Sequence, residues 1–340
     1  MKICICYDLK EDYSLETSNK KHLNFNSLKT ILSIKNELEN CSHEVFLEKY
    51  NKDFLKRLIN NENEYDLFLP LNIGIGNRNK QSYLPSLLES LHFSYIGSDP
   101  FSLALCLDKE LTKILAIFNK VKTPSYYSAC TLEELDNILS DFDIIYPCVI
   151  KPNEEGSSNG VFIVKNKDEL IAKAQFILEE YHQKFLVEEY IKGRDITVSV
   201  VEHNKKLITG FSETVNLEGK PLPIYSSEYK HLKKCKKIKP ILSLAQKETL
   251  INYSRIMFEK SPCRDFARFD FRINNDGIVY FLEATPHPML PKSASFMQGF
   301  ILDGITINWI YECIVNNAIE RYKKQEEKYE YSINNESNRK

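Results

Sequence analysis

The chain has 340 residues, 43% of them apolar and 27% charged, enough for two or three packed domains of an ordinary soluble protein. A formal net charge of −2 gives no ground for a nucleic-acid or membrane-surface partner, and no apolar run reaches the ~18 residues that cross a bilayer. Nine cysteines are scattered without a C-x-x-C pair, which reads as reduced, mostly buried thiols of a cytoplasmic protein.

The opening MKICICYDLKED turns acidic after a few apolar residues, so it predicts a first strand and not a cleaved leader. Over the first hundred residues strand-like and helix-like stretches alternate. Ile3–Tyr7 is followed by Leu28, Ile31, Leu32 and Leu38 at helical spacing, then by strand-like Val45–Tyr50. Helix-like DFLKRLINNE, strand-like Tyr65–Asn72, helix-like PSLLESLH and strand-like FSYIGS come next. This alternation predicts a parallel sheet with βαβ crossovers, and Gly97-Ser98-Asp99-Pro100 predicts a boundary at its end.

Residues Phe101–Asn119 predict one helix, and TLEELDNIL another, opened by a capping box of Thr131 and Glu134. YPCVIKP and GVFIVKN predict two strands joined by the loop Asn153–Asn159, with a helix from Lys167 to Glu180. From Phe185 the strands FLVEEYI, ITVSVVEH and KLITGFSET follow one another. Lysine-rich HLKKCKKIKP then precedes a long helix over Ser243–Lys260. FARFDFRI and GIVYFLEAT predict a hairpin turning at Asn274–Gly277. A last helix is predicted to stop near Tyr322, before a polar, frayed tail.

Three stretches carry chemistry. In VIKPNEEGSSNGV, Lys151 ends a strand and Gly156, Ser157 and Ser158 follow in the loop. Glycine lets backbone approach a phosphate, hydroxyl and N–H groups donate, and the lysine supplies charge, although a flexible surface turn has the same composition. The loop closes a hairpin and opens no helix, which excludes a Walker A loop. In RFDF…FLEAT, Arg268 and Asp270 share one strand face and Glu283 can reach it from the paired strand. Two such carboxylates can hold Mg²⁺ against phosphate oxygens or form a cross-strand ion pair on a solvated face. In LVEEYIKGRDITV, Glu188 and Glu189 end a strand and Asp195 follows a glycine turn. Carboxylates there can accept from a ribose or an adenine amino group, or simply meet solvent.

In this order the three stretches resemble the D-alanine–D-alanine ligase branch of the ATP-grasp family, from about Asp66 to Ser295 and more loosely before that. The resemblance implies an α/β (α+β) architecture of three domains. These are an N-terminal parallel βαβ domain (1–100), a small central lobe (101–184) and a C-terminal antiparallel-sheet domain (185–322), followed by the tail (323–340). It implies that LCLDKELTK carries a phosphate-facing lysine, Lys109, and that Lys151 is the second, under a loop of Gly156, Ser157 and Ser158. It implies an adenine and ribose strip of Glu188, Glu189, Tyr190, Ile191 and Asp195. IYSSEYKHL matches a lid whose Lys230 reaches the γ-phosphate. Arg268 would face the tetrahedral oxyanion, with Ser157 and Lys230 assisting, and Asp270, Glu283 and Thr285 would bind metal. The implied reaction uses ATP and two Mg²⁺ ions, with Mn²⁺ able to substitute. It passes through an acylphosphate to join a carboxylate and an amine, in an enzyme whose relatives are commonly dimers.

The departures concern substrate. YDLKEDYSLETSNKKH lacks the family's glycine-rich segment, and LNIGIGNRNKQSYLPS places Arg78 and Lys80 where acids are expected. A cationic loop suits an anionic group better than an ammonium, so the expected substrate is an amino acid or small carboxylate other than D-alanine. D-alanine itself and a nucleotide binder without turnover are the alternatives. The family's Glu-x-Asn becomes Glu283-Ala284-Thr285, and its Pro-Gly becomes Pro288-Met289. His287, Ser293 and Ser295 stand as further substrate candidates.

Overall fold

The computed structural model describes residues 1–13, 25–75, 78–224 and 234–337, with side chains as far as 324. In the N-terminal part β1 (Lys2–Tyr7) lies between β2 (Glu44–Lys49) and β3 (Leu67–Pro70), parallel to both. A central parallel strand is covered on both faces, so β1 reads as a continuous apolar run. Ile3, Ile5 and Tyr7 join one core, whereas Cys4 and Cys6 join another with Phe54 and Leu84. Helices α1 (Leu28–Asn40) and α2 (Lys52–Ile59) are capped by Ser27 and Asn51, whose side chains accept from the first free N–H groups. After α3 (Tyr83–Ser90) the expected strand FSYIGS makes one isolated bridge, Phe68 with Tyr95. It goes no further because Gly97, at φ 101°, turns the chain away and donates its N–H to Asp265 at 2.7 Å.

The single helix expected over 101–119 is two, α4 (Pro100–Leu107) and α5 (Lys109–Phe118). Asp108 divides them: its backbone is extended and its carboxylate accepts from Leu111 N at 3.1 Å. A short polar side chain that bonds its own backbone ends one helix and caps the next. In α6 (Leu132–Asp141) Thr131 accepts from Glu134 N, but the Glu134 carboxylate takes Cys130 N at 2.6 Å, one residue before the expected box.

A four-stranded antiparallel sheet holds β4 (Tyr126–Ala129), β7 (Phe185–Glu189), β5 (Cys148–Pro152) and β6 (Phe162–Val164) in that spatial order, and α6 and α7 (Lys167–Tyr181) share its core. Facing it is a five-stranded antiparallel sheet. Its order is β10 (Cys235–Ile238), β9 (Lys206–Asn216), β8 (Gly193–His203), β11 (Phe266–Asn274) and β12 (Val279–Thr285). Strand alternation sorts its side chains. Ile196, Val198, Phe211, Phe269 and Phe271 bury against α8 (Leu244–Lys260), while Asp195, Thr197, Thr214, Arg268, Asp270 and Arg272 line a cleft.

The segment after β12 leads through α9 (Ser295–Ile301) to α10 (Ile307–Ser337). A Cβ on Gly210 of β9 would stand 2.6 Å from the Gly299 carbonyl carbon, so α9 lies on the sheet only because both residues are glycine. Helix α10 continues well past the predicted stop at Tyr322. Just past Tyr322 the stretch KKQEEKYE is rich in Lys, Glu and Gln, which are polar but good helix formers. Its apolar residues Tyr311, Ile314 and Ala318 complete the N-terminal core. Among the described residues no helix is long and apolar enough to cross a membrane.

Candidate active site

The cleft between the two antiparallel sheets has a volume of about 570 Å³. Lys109, from α5, and Lys151, ending β5, enter from the side of the four-stranded sheet. Glu188 on β7 organises this wall. It is buried, 2.8 Å from Lys151 and 3.0 Å from Lys113, a lysine one helical turn beyond Lys109 that has no exposed surface. Burial alone would push the Glu188 carboxyl up, but the two lysines together hold it below its ordinary range. Burial pushes Lys113 down to about 8, against the pull of Glu188. Lys113 was given no role from sequence; its signal is the i, i+4 spacing from Lys109.

Lys109 donates to the carbonyl oxygen of Glu155 and lies 4.0 Å from Glu283. Burial, the largest influence on it, lowers its pKa. The lysine therefore ties the base of the loop 153–160 to the opposite sheet. Within that loop Ser157 and Ser158 have φ of 54° and 62°, and Gly160 has 67°. Successive left-handed residues aim backbone N–H groups into a concavity suited to an anion. Ser157, Ser158 and Asn159 line the cleft; Gly156 shapes the turn by accepting from Asn159 N.

Beyond the lysines, Pro124, Val149, Ile191, Ile224 and Leu282 form an apolar slot. Glu189, Tyr190 and Ile191 cross between the sheets at its edge. Glu189 accepts from Ser125 Oγ at 3.0 Å, and Tyr190 donates to Pro223 O at 2.9 Å. Asp195 also lines the cleft. Its Oδ1 accepts from Arg272 at 2.9 Å, whereas its buried Oδ2 has no hydrogen-bond partner. Burial pushes Asp195 up to about 6, partly opposed by Arg272. An apolar slot for a base, a free acceptor for a ribose hydroxyl and a lysine-lined loop for phosphates together fit a nucleoside triphosphate.

On the floor, Asp270 and Glu283 are register partners across β11 and β12. Arg268 joins them, 2.9 Å from Asp270, 3.6 Å from Glu283 and 3.2 Å from Thr285 Oγ1. Thr197, also without a role from sequence, donates to Asp270 at 2.8 Å. Two carboxylates and a hydroxyl are hard oxygen donors that fit a divalent cation whose remaining ligands come from phosphate.

The substrate candidates divide. Ser293 and Ser295 line the cleft, together with Met289. His287 does not; it lines a small recess of about 30 Å³ behind Met289 and packs on Phe266, with its ring centroid 5.2 Å away. Burial pushes His287 down to about 4. Arg78 is also absent from the cleft wall. It pairs with the buried Asp108 at 3.2 Å, so its charge is already answered within the protein. Arg78 therefore gives no support to the inference of an anionic substrate, which it shared with Lys80. Lys230 lies outside the described residues.

Two stacked antiparallel sheets with lysines on one side and carboxylates on the other define the class: an ATP-grasp enzyme. The family model for the "D-ala D-ala ligase C-terminus" matches residues 128–316. The D-alanine–D-alanine ligase of Thermotoga maritima is 30% identical over 295 residues, spanning 86% of this chain and 92% of that one. The crystal structure of the Bacillus anthracis D-alanine–D-alanine ligase superposes with a TM-score of 0.72 at 22% identity, covering 96% of this chain and 99% of that one. The same enzyme complexed with ATP superposes at 0.71. The chain belongs to the D-alanine–D-alanine ligase family. It is an ATP-dependent ligase that forms a C–N bond between a small carboxylate and an amine.

Proposed function

We propose that this enzyme joins two D-amino acids of the D-alanine class, releasing ADP and phosphate. The observation that carries the reading is the pairing of Arg78 with Asp108. It answers the Arg78 part of the charge argument against an ammonium-bearing donor, and the relatives matched over most of the chain bear the D-alanine–D-alanine ligase name.

In this reading Lys109 and Lys151 hold the phosphates, and the backbone of Gly156, Ser157 and Ser158 covers them. The strip Glu189–Ile191 receives the base and Asp195 the ribose, while Glu188 keeps Lys151 in place. Asp270, Glu283 and Thr285 hold Mg²⁺, which neutralises phosphate charge when bound. Phosphoryl transfer to a carboxylate needs positioning and charge more than covalent help. Arg268 faces the oxyanion that develops as the amine attacks the activated carboxyl, and Ser293 or Ser295 donates to the acceptor's carboxylate.

Met289 favours a second reading, an acceptor other than D-alanine. It lines the cleft where the family pattern has glycine, so it narrows the acceptor end with an apolar side chain. The test is ADP release with MgATP against D- and L-amino acids, with product masses recorded. D-alanine alone yielding a dipeptide establishes the first reading; ADP and product only with a different acceptor establishes the second. Failure of every amine and carboxylate pair to yield product refutes both. Asp270→Asn should cut turnover by ~100-fold or more if the carboxylate holds the metal.

A further inference from the structure

The lysine-rich stretch before α8 has no place in the roles above, yet one of its residues hydrogen-bonds a side chain that lines the cleft. In β10, Lys237 is the register partner of Thr214 on β9, Thr214 of Asp195 on β8, and Asp195 of Arg272 on β11. These four form one cross-strand row on the cleft face. The adjacent row of that face runs Ser212, Thr197, Asp270 and Glu283. Lys237 Nζ donates to Thr214 Oγ1, and Thr214 lines the cleft. Lys237 is half-buried. Asp270 and Asp195 attract its charge, Arg268 opposes it, and burial dominates, lowering its pKa to about 8.

A lysine on a short edge strand ordinarily points into water, where its ammonium is well hydrated. Here the side chain instead turns back onto Thr214 of the cleft wall, behind the lining residues and in the row beside the two carboxylates. Lys151 enters from the four-stranded sheet, and Lys109 from the start of α5 against the loop that follows β5. A bound phosphate chain would therefore have cations on both sides.

We propose that Lys237 is a nucleotide-binding residue, contributing a fixed cation to the phosphate chain from the five-stranded sheet, with Thr214 as its positioning partner. This rests on the nucleotide reading of the cleft. The competing role is purely structural: Lys237 merely neutralises Asp195 and Asp270.

The test measures calorimetric binding of a non-hydrolysable ATP analogue, ADP and adenosine, each with Mg²⁺, to wild type, Lys237→Met, Lys237→Arg and Thr214→Val. The expected result is at least tenfold weaker binding of ATP analogue and ADP to Lys237→Met, with adenosine unchanged. Lys237→Arg should recover most of the loss, and Thr214→Val should lose a few-fold. Equal weakening of all three ligands, or no weakening of the phosphorylated ones, overturns the proposal. Should Lys237→Met fail to fold, Lys237→Gln replaces it under the same criteria. Failure of wild type to bind the ATP analogue would instead refute the nucleotide reading itself.

Discussion

Lys151 stands 2.8 Å from Glu188, a carboxylate that is also 3.0 Å from the fully buried Lys113. One negative charge thus holds a lysine facing the cleft and a second lysine behind it. Removing a single member of a buried charged group leaves the others desolvated and unpaired, which costs about 3–5 kcal/mol. Glu188→Gln, nearly isosteric, should destabilise the fold by about that amount in urea unfolding. Adding Lys113→Met should recover part of the loss. A single-variant loss below about 1 kcal/mol would mean that water reaches Lys113.

Gly97 should tolerate no side chain. At φ 101°, a Cβ there would stand 2.6 Å from His287 Cδ2 and 3.0 Å from its Nε2. Gly97→Ala should cost about 2–4 kcal/mol, from left-handed strain plus overpacking. Gly219 has φ 86° but open space around it. Gly219→Ala should cost only the backbone part, about 1 kcal/mol. Equal thermal shifts for the two variants would refute the contact with His287.

The same histidine predicts a pH dependence. Burial lowers His287 from 6.5 to about 4 in the folded chain, and its Nε2 is buried without a partner. As pH falls below about 6.5 the unfolded chain takes up this proton first. The stability His287 permits at neutral pH is therefore lost progressively from about pH 6.5 down to about 4, by up to roughly 3 kcal/mol. His287→Gln should flatten the unfolding free energy across that window. An unchanged acid slope in the variant would show that other groups set it.

Arg78 should matter little to substrate. Its side chain is half exposed while Asp108 is fully buried, and Asp108 also lies 3.8 Å from Lys184. Arg78→Ala should leave the KM for either amino acid within about twofold and cost about 1 kcal/mol or less. A tenfold rise in KM for one substrate would restore Arg78 to the binding site.

Much of the architecture was legible in local pattern. The alternation of Ile3–Tyr7 with the α1 stripe marks a parallel unit, and the period-two polar residues Arg268, Asp270 and Arg272 mark one face of an antiparallel sheet. Helix limits were less legible. Asp108 looks like any helical residue until its carboxylate turns back on Leu111 N, and the polar stretch KKQEEKYE of α10 looks like the start of a frayed tail although its Lys, Glu and Gln residues favour helix.

The sequence by itself determined the fold class and the inventory of charges, because strand and helix periods are local and the lysines and carboxylates sit in short motifs. Only the tertiary structure decided which charges face the cleft and which face each other. Arg78 is answered by Asp108, thirty residues along the chain, and Glu188 by Lys113 and Lys151 from two different elements. Lys237 comes into one row with Thr214 and Asp195 through a strand register that joins three segments of the chain. Whether a side chain binds a ligand or its own protein depends on neighbours brought together by the packing of sheets, and no local spacing encodes that.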